Sequence, residues 1–330
     1  MNIGITYDLR QDYLDLGFGE EETAEFDSEI TIASIDQTLQ ALGHSTERIG
    51  NIWELTRRLV ANERWDLVFN IAEGLYGMGR EAQVPALLDA YRIPYTFSDP
   101  LVLALTLHKG MTKRILRDLH IPTPDFCEIH SIEQVEAVDL PFPLFAKPMA
   151  EGTGKGIDAA SKITNKTELE SNCRRLLAEY RQPVLVETFL PGREFTVGIV
   201  GTGEQARSVG IMEVVFLDGS EKNAYGYSNK KDWMDNIEYR RVDDAEARQA
   251  IDSAVAAWKG LGCRDGGRID LRVDAAGVAN IIEINPLAGL RPDYSDLPLL
   301  CGLNGTSYIE LIKMILESAE QRVPLKVSAD

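Results

Sequence analysis

Apolar and polar positions along this chain fall into short strand-like runs separated by stretches with helical spacing. Asn2–Tyr7 opens as a buried strand, and the acidic, polar stretch from Asp8 to about Glu22 reads as a loop. Ile30, Ala33, Ile35, Leu39 and Leu42 then recur at helical spacing up to Gly43. A short polar strand, a helix over Trp53–Ala61, a strand over Leu67–Ile71, a glycine-rich loop from Glu73 to Gly79 and a helix over Glu81–Tyr91 follow. Alternation of this kind predicts a parallel, Rossmann-like α/β unit. Its loop does not match G-x-G-x-x-G, so no dinucleotide site is assigned.

Further along, a helix from Thr106 carries Lys109, Lys113 and Arg114 into Ile121-Pro122-Thr123-Pro124, a boundary because proline ends helices and stiffens linkers. Pro143–Pro148 reads as a short strand ending in Lys147. Glu151-Gly152-Thr153-Gly154-Lys155-Gly156 is a glycine loop, and Ile157–Ile163 a second run after it. Pro183–Leu190 forms a strand running into a linker, and Phe195–Val200 another strand. Asp218–Lys231 has the composition of a mobile lid, and Ala245–Leu261 is helical. The last helix, Ser307–Glu320, places Ile309, Ile312 and Ile315 or Leu316 toward the core.

The most informative stretch is Gly267–Gly289, where Arg268–Asp274 and Val278–Asn285 flank Ala275-Ala276-Gly277 as in a β-hairpin. Strand alternation puts Arg268, Asp270 and Arg272 on one face. In the second run Ile281, Glu283 and Asn285 share a face, with Ile282 and Ile284 directed to the core. Paired strands would bring Asp270, Glu283 and Asn285 together as an oxygen set suited to Mg²⁺. A solvated hairpin face would show similar residues, but Glu283-Ile284-Asn285 runs straight into Pro286 and a loop, where function concentrates.

The glycine loop could cradle phosphates with its N–H groups. It is not a Walker A loop: Met149 stands where the first glycine belongs, and Gly156 replaces the Ser or Thr. A plain hairpin turn would explain the glycines alone. Lys147 shifts the balance, since an ammonium ending an apolar strand needs an anionic partner.

Composition adds limits. The 330 residues suffice for two or three domains, and 44% hydrophobic with 26% charged residues is ordinary for a globular protein. A net charge of −18 argues against nucleic acid as a partner but leaves room for ATP against local lysines. Cys127, Cys173, Cys263 and Cys301 show no C-x-x-C pairing, which suggests reduced core residues in a cytoplasmic protein. No leader and no run of transmembrane length is read, so no membrane partner is expected. His44, His108, His120 and His130 fall in no catalytic motif.

From Ile3 to about Ser318 the chain resembles the ATP-grasp ligases, most closely the D-alanine–D-alanine ligase branch. Ala146-Lys147-Pro148 with Glu151-Gly152-Thr153, Val184–Val197 and Gly262–Gly289 carry the resemblance. It implies a three-domain α/β ATP-grasp architecture: an N-terminal Rossmann-like domain over 1–104, a central subdomain over 105–189 and a C-terminal subdomain over 190–330. It implies ATP with two Mg²⁺ ions, Mn²⁺ being an alternative. Lys109 and Lys147 would contact phosphates, Gly152, Thr153 and Gly154 cover them, Glu187 and Leu190 read adenine, and Glu194 take the ribose. Asp270, Glu283 and Asn285 would hold the metals. Arg268, Gly289, Thr153 and Lys230 would serve catalysis, and Glu25, Glu73, Tyr227, Arg291 and Tyr294 the substrate.

The implied reaction joins a carboxylate to an amine through an acyl phosphate, on amino-acid or peptide substrates, in a chain that could be a homodimer. The sequence departs from the family where the amino acids should bind: Glu73-Gly74 replaces a His-Gly pair, Gly79-Arg80-Glu81-Ala82 an acidic stretch, and Lys231 a lid tyrosine, while Leu290–Ser295 replaces a small, hydroxyl-rich loop. These bulky and charged groups favour an acceptor other than D-alanine. An authentic D-alanine–D-alanine ligase, a non-catalytic nucleotide-binding regulator and a kinase of the same fold are the alternatives.

Overall fold

Three sheets, each with its own helices, organise the chain; the computed structural model describes residues 1–217 and 237–323. In the first, β1 (Asn2–Thr6), β2 (Ser45–Gly50) and β3 (Leu67–Asn70) run parallel in the order β2-β1-β3. Ile3, Ile5, Leu67 and Phe69 are fully buried, as expected of parallel strands covered on both faces.

The second sheet is antiparallel, with β4 (Phe126–Ile129), β5 (Leu144–Pro148), β6 (Lys162–Ile163) and β7 (Val184–Thr188) in the order β4-β7-β5-β6. Leu169, Cys173 and Leu176 of the helix Lys166–Tyr180 close its core against Leu144, Ala146, Val184 and Val186.

The third is also antiparallel and takes the order β10-β9-β8-β11-β12, built from β8 (Glu194–Val200), β9 (Arg207–Phe216), β10 (Ile237–Arg241), β11 (Gly266–Val273) and β12 (Ala279–Asn285). The helix Ala245–Leu261 seats Trp258 in its core. First and third units share apolar contacts: Ile5 and Phe69 belong to the same cluster as Leu297, Leu300, Ile312 and Ile315. Asp265, fully buried, adds a polar tie. It accepts from the Phe97 amide at 2.7 Å, Ser318 Oγ at 2.8 Å and both terminal nitrogens of Arg322.

Several sequence expectations change. The stretch from Asp8 to Glu22 contains a helix, Arg10–Asp15, anchored by buried Tyr13, whose ring lies 4.4 Å from that of Phe26 and whose hydroxyl donates to Asp8. Ile157–Ile163 is not a strand. Asp158 accepts from the Ala160 amide at 2.8 Å and caps a 3₁₀ turn over Ala159–Ser161, leaving only Lys162–Ile163 extended. The helix expected from Thr106 is two, Pro100–Leu107 and Lys109–Asp118, broken at His108. The His108 Nδ1 accepts from the Met111 amide at 3.3 Å, so this histidine caps the second helix and starts it at Lys109.

Ile309 is 42% exposed, and Leu311 joins Ile312, Ile315 and Leu316 in the core instead. The four cysteines are free thiols. Among the described residues no single helix is long and apolar enough to cross a membrane.

Candidate active site

The hairpin forms, with a correction in its second strand. Arg268 pairs with Asn285, Ile269 with Ile284 and Asp270 with Glu283, and the register then shifts so that Leu271 faces Ile281. Ile282 is the extra residue of a β-bulge, which reverses the alternation beyond it. Ile281 therefore enters the core, where the sequence placed Ile282, and Ile282 lines a cavity beside Glu283.

Charges converge at this strand end. Arg268 donates to Asp270 and lies 3.7 Å from Asp296. Asp270 also accepts from Thr196 Oγ1 at 2.9 Å and from Asn285 Nδ2 at 3.2 Å. Glu283 pairs with Lys109 Nζ at 2.9 Å, and that ammonium donates to the Glu151 carbonyl at 2.6 Å. Burial alone would raise the Glu283 carboxyl, but Lys109, Lys147 and Arg268 outweigh it and hold it at about 2. Glu283 thus stays ionised. Among the described residues no group of three His, Cys, Asp or Glu could enclose a metal. Two carboxylates with an amide instead suit Mg²⁺, whose remaining positions go to water and phosphate oxygens.

Beside this lies a buried triad. Glu187, on β7, pairs with Lys147 of β5 at 2.9 Å and with Lys113 at 2.8 Å, and all three side chains are at most 6% exposed. The anionic partner that Lys147 requires is therefore supplied by the protein. Two ammoniums share one carboxylate: burial and the neighbouring Lys147 lower Lys113 to about 8, although Glu187 opposes them. Sequence reasoning gave Lys113 no role. Its signal was the spacing from Lys109, four residues and so one helical turn away on the same face.

Lys109, Lys147, Glu187, Leu190, Glu194 and Gly154 line a cavity of about 90 Å³ that also takes in Asp270 and Glu283. Glu194 lies 3.2 Å from Arg272. Above the cavity, the glycine loop turns through left-handed backbone at Thr153 (φ +50°), Gly154 (+74°) and Gly156 (+73°). The last must be glycine, because a Cβ there would lie 2.5 Å from Pro148 Cγ.

The loop is fastened by Glu25. Its carboxylate accepts from the Gly152 amide at 2.6 Å and pairs with Arg80 at 2.7 Å and Lys155 at 3.3 Å. Arg80, a residue the sequence left without a role, also donates to the Ala150 carbonyl at 2.9 Å. Burial would raise the Glu25 carboxyl, but Arg80 and Lys155 bring it below its usual value. Because the folded value is depressed, the stabilisation is full above the unfolded value of about 4.3 and is lost as pH falls through the folded one. Glu25→Gln should cost about 3 kcal/mol at pH 7, since buried Arg80 loses its counter-ion. It should also flatten the acid limb of stability below about pH 5, read by urea denaturation across pH.

A second cavity, of about 330 Å³, lies on the other side of the same strand end and is lined by Arg268, Asn285 and Gly289 together with Thr153, Arg291 and Tyr294. Arg291 stacks over Tyr294 at 5.2 Å, and its amide donates to Ser295 Oγ at 3.1 Å. Glu25, Glu73, Glu81 and Asp27 form an acidic wall. Burial raises Glu73, with Glu81 adding repulsion; burial likewise brings Glu81 to about 8 and Asp27 to about 7. Of the residues assigned from sequence, all but Tyr227 and Lys230 line one or other cavity. Those two, with Lys231 and the rest of the Asp218–Lys231 lid, lie outside the described residues.

Comparison with known proteins identifies the family. Residues 115–317 match the family model described as D-ala D-ala ligase C-terminus. The chain is 31% identical over 275 residues to the D-alanine–D-alanine ligase of Bordetella petrii, covering 82% of this chain and 81% of that protein. It is 33% identical over 260 residues to the Bordetella avium enzyme of the same name, covering 77% and 78%. Among solved structures, D-alanine–D-alanine ligase from Bacillus anthracis complexed with ATP aligns over 97% of this chain and 98% of its own, with TM-score 0.71 and 21% identity. VanG D-Ala:D-Ser ligase from Enterococcus faecalis aligns over 96% and 99%, with TM-score 0.73 and 17% identity. With the family model spanning residues 115–317 and relatives above 30% identity over most of their length, the chain belongs to the D-alanine–D-alanine ligase family of ATP-grasp, ATP-dependent carbon–nitrogen ligases.

Proposed function

We propose that this enzyme joins two amino-acid substrates at the Arg268–Asn285 strand end, with ATP in the smaller cavity and the amino acids in the larger. One observation carries the proposal: Asp270 and Glu283 line the first cavity while Arg268 and Asn285, their neighbours on the same two strands, line the second. A phosphoryl group held by the first is thereby adjacent to a carboxylate held in the second.

In the first step a carboxylate oxygen of the donor attacks the γ-phosphorus and ADP leaves, giving an acyl phosphate. The amine of the acceptor then attacks the acyl carbon, phosphate departs and the ammonium proton is lost. Phosphoryl transfer asks mainly for positioning and neutralisation of charge. Lys109 and Lys147 supply ammoniums, and Asp270, Glu283 and Asn285 would hold Mg²⁺, which would supply further neutralisation of phosphate charge. Glu187 and Leu190 are placed at the base and Glu194 at the ribose. Arg268, with the Gly289 loop, stabilises the tetrahedral oxyanion of the second step. The stretches 1–104, 105–189 and 190–330 act as the three domains around the site. The free cysteines suit a reducing cytoplasm.

Arg291 is assigned to the carboxylate of the acceptor, which a guanidinium can hold bidentately. Arg291→Ala should raise the acceptor KM about 10²-fold and leave the KM for ATP within about twofold, as measured by coupled ADP release. D-alanine as both substrates is the second reading, favoured by the activity named for the Bordetella relatives. Hydroxylamine trapping tests the shared chemistry. A hydroxamate formed from the donor, ATP and Mg²⁺ without acceptor supports the acyl phosphate, and ADP formation with no hydroxamate speaks against it.

A further inference from the structure

The second step of the ligation needs a group that the first does not. The acceptor arrives as an ammonium, which has no lone pair, and its nitrogen must give up a proton before it can attack the acyl carbon. Guanidiniums cannot take that proton. The larger cavity offers Glu25, Asp27, Glu73, Glu81 and the phenol of Tyr294.

Three of these are engaged elsewhere. Glu25 is held by Arg80, Lys155 and the Gly152 amide, and the two cations outweigh its burial and lower its carboxyl, which makes it a poor proton acceptor. Asp27 accepts from Thr31, and Tyr294 lies under Arg291. Glu73 and Glu81 remain. Both feel the charge of Arg80, but among the described residues the side chain of neither makes a hydrogen bond or a close ion pair.

Their surroundings tell the two apart. The strongest charges acting on Glu73 are Glu81, Glu25, Asp27 and Arg80, all in the N-terminal unit. Glu81 feels Arg80 and Glu25 as well, but also Lys109 and Glu283, which line the nucleotide cavity. It therefore stands in the amino-acid cavity on the side nearest the phosphoryl group. The backbone explains this placement. Glu81 lies in the 3₁₀ turn Arg80–Ala82, next to the helix Pro100–Leu107, and the approach is close enough that a Cβ on Gly79 would lie 3.2 Å from Ala104 Cβ. Thr106 and Leu107, at the end of that helix and just before Lys109, line the same cavity. On its other side the turn is met by Gly74, where a Cβ would lie 2.7 Å from the Arg80 carbonyl oxygen. Arg80 itself is tied to Glu25 and Ala150, so Glu81 is carried on a fixed turn. Burial raises its carboxyl, which improves it as a proton acceptor, and an ammonium arriving beside it favours the ionised form.

We propose that Glu81 is the general base of the second step, taking one proton from the acceptor's ammonium so that the free amine can attack the acyl carbon. The inference rests on the ligase reading above and adds a catalytic residue to it. The nitrogen lone pair forms the new C–N bond, the C–O bond to phosphate breaks with its electron pair leaving on phosphate, and the second nitrogen proton departs with that phosphate. Glu81 then returns its proton to solvent.

Hydroxylamine separates this role from others. It is largely uncharged at neutral pH, so it attacks an acyl phosphate without first losing a proton to a base. The test uses the full chain with ATP, Mg²⁺ and the pair that gives the fastest ADP release from a panel of L- and D-amino acids, D-alanine included. Hydroxamate formation from the donor and amide formation from the pair are then compared in the parent, Glu81→Gln and Glu81→Asp. Glu81→Gln should keep hydroxamate formation within about twofold of the parent while kcat for the amide falls at least about 10²-fold, the range that a general base contributes. Glu81→Asp keeps a carboxylate at shorter reach and should lie between. Retained hydroxamate formation also shows that the variant is folded and makes the acyl phosphate. An undiminished amide rate in Glu81→Gln would overturn the proposal, as would an equal fall in hydroxamate and amide, which would make Glu81 a binding or structural group. No hydroxamate from the parent with any amino acid of the panel would instead remove the ligase reading itself, and this proposal with it.

Discussion

Glu187→Leu should destabilise the protein by about 3–5 kcal/mol, more than an ordinary surface change, as read from the midpoint of urea denaturation. The cause is the sharing of one carboxylate by Lys113 and Lys147, at 2.8 Å and 2.9 Å, where none of the three is more than 6% exposed. Removing the carboxylate leaves two buried ammoniums facing each other. Lys113→Met in the Glu187→Leu background should recover part of the loss, because it removes one of those charges and supplies apolar volume. A Glu187→Leu protein as stable as the parent would mean that the triad is not formed. The KM for ATP should rise as well, since Lys147 and Glu187 both line the smaller cavity.

Arg268→Lys should lower kcat by about 10²–10³-fold while changing the KM for ATP little. Lysine keeps the charge, so Asp270 and Asp296 retain a cation, but it loses the planar fork that can reach those carboxylates and a developing oxyanion together. Steady-state kinetics separate this from loss of nucleotide binding. A rise in the ATP KM with kcat preserved would move Arg268 from the acyl centre to the nucleotide cavity.

Much of this site was legible because β-strand alternation is rigid. Arg268, Asp270 and Arg272 had to share a face once Ile269, Leu271 and Val273 were taken as core. Lys147 at the end of an apolar strand likewise signalled a nearby anion, although the anion proved to be Glu187. The bulge at Ile282 was hidden because two isoleucines stand side by side between Asn280 and Glu283 with no glycine to mark it, so Ile281 and Ile282 exchanged faces.

Glu25 was assigned to the substrate from the family resemblance, and the structure shows it bound to Arg80, Lys155 and the Gly152 amide. Those partners lie in distant parts of the chain, and spacing carries no information about them. The helix at Arg10–Asp15 was missed for a related reason. Its stability comes from Tyr13 packing on Phe26, a tertiary contact, and its own sequence offers only a weak helical pattern.

The most direct test of the central claim is product analysis with ATP, Mg²⁺ and paired amino acids. The account predicts ADP and phosphate in equal amounts with one amide per ATP consumed, formed only when both a donor and an acceptor are present. A stable phosphorylated amino acid with no amide, or ADP formation that needs only one substrate and releases no joined product, would contradict it.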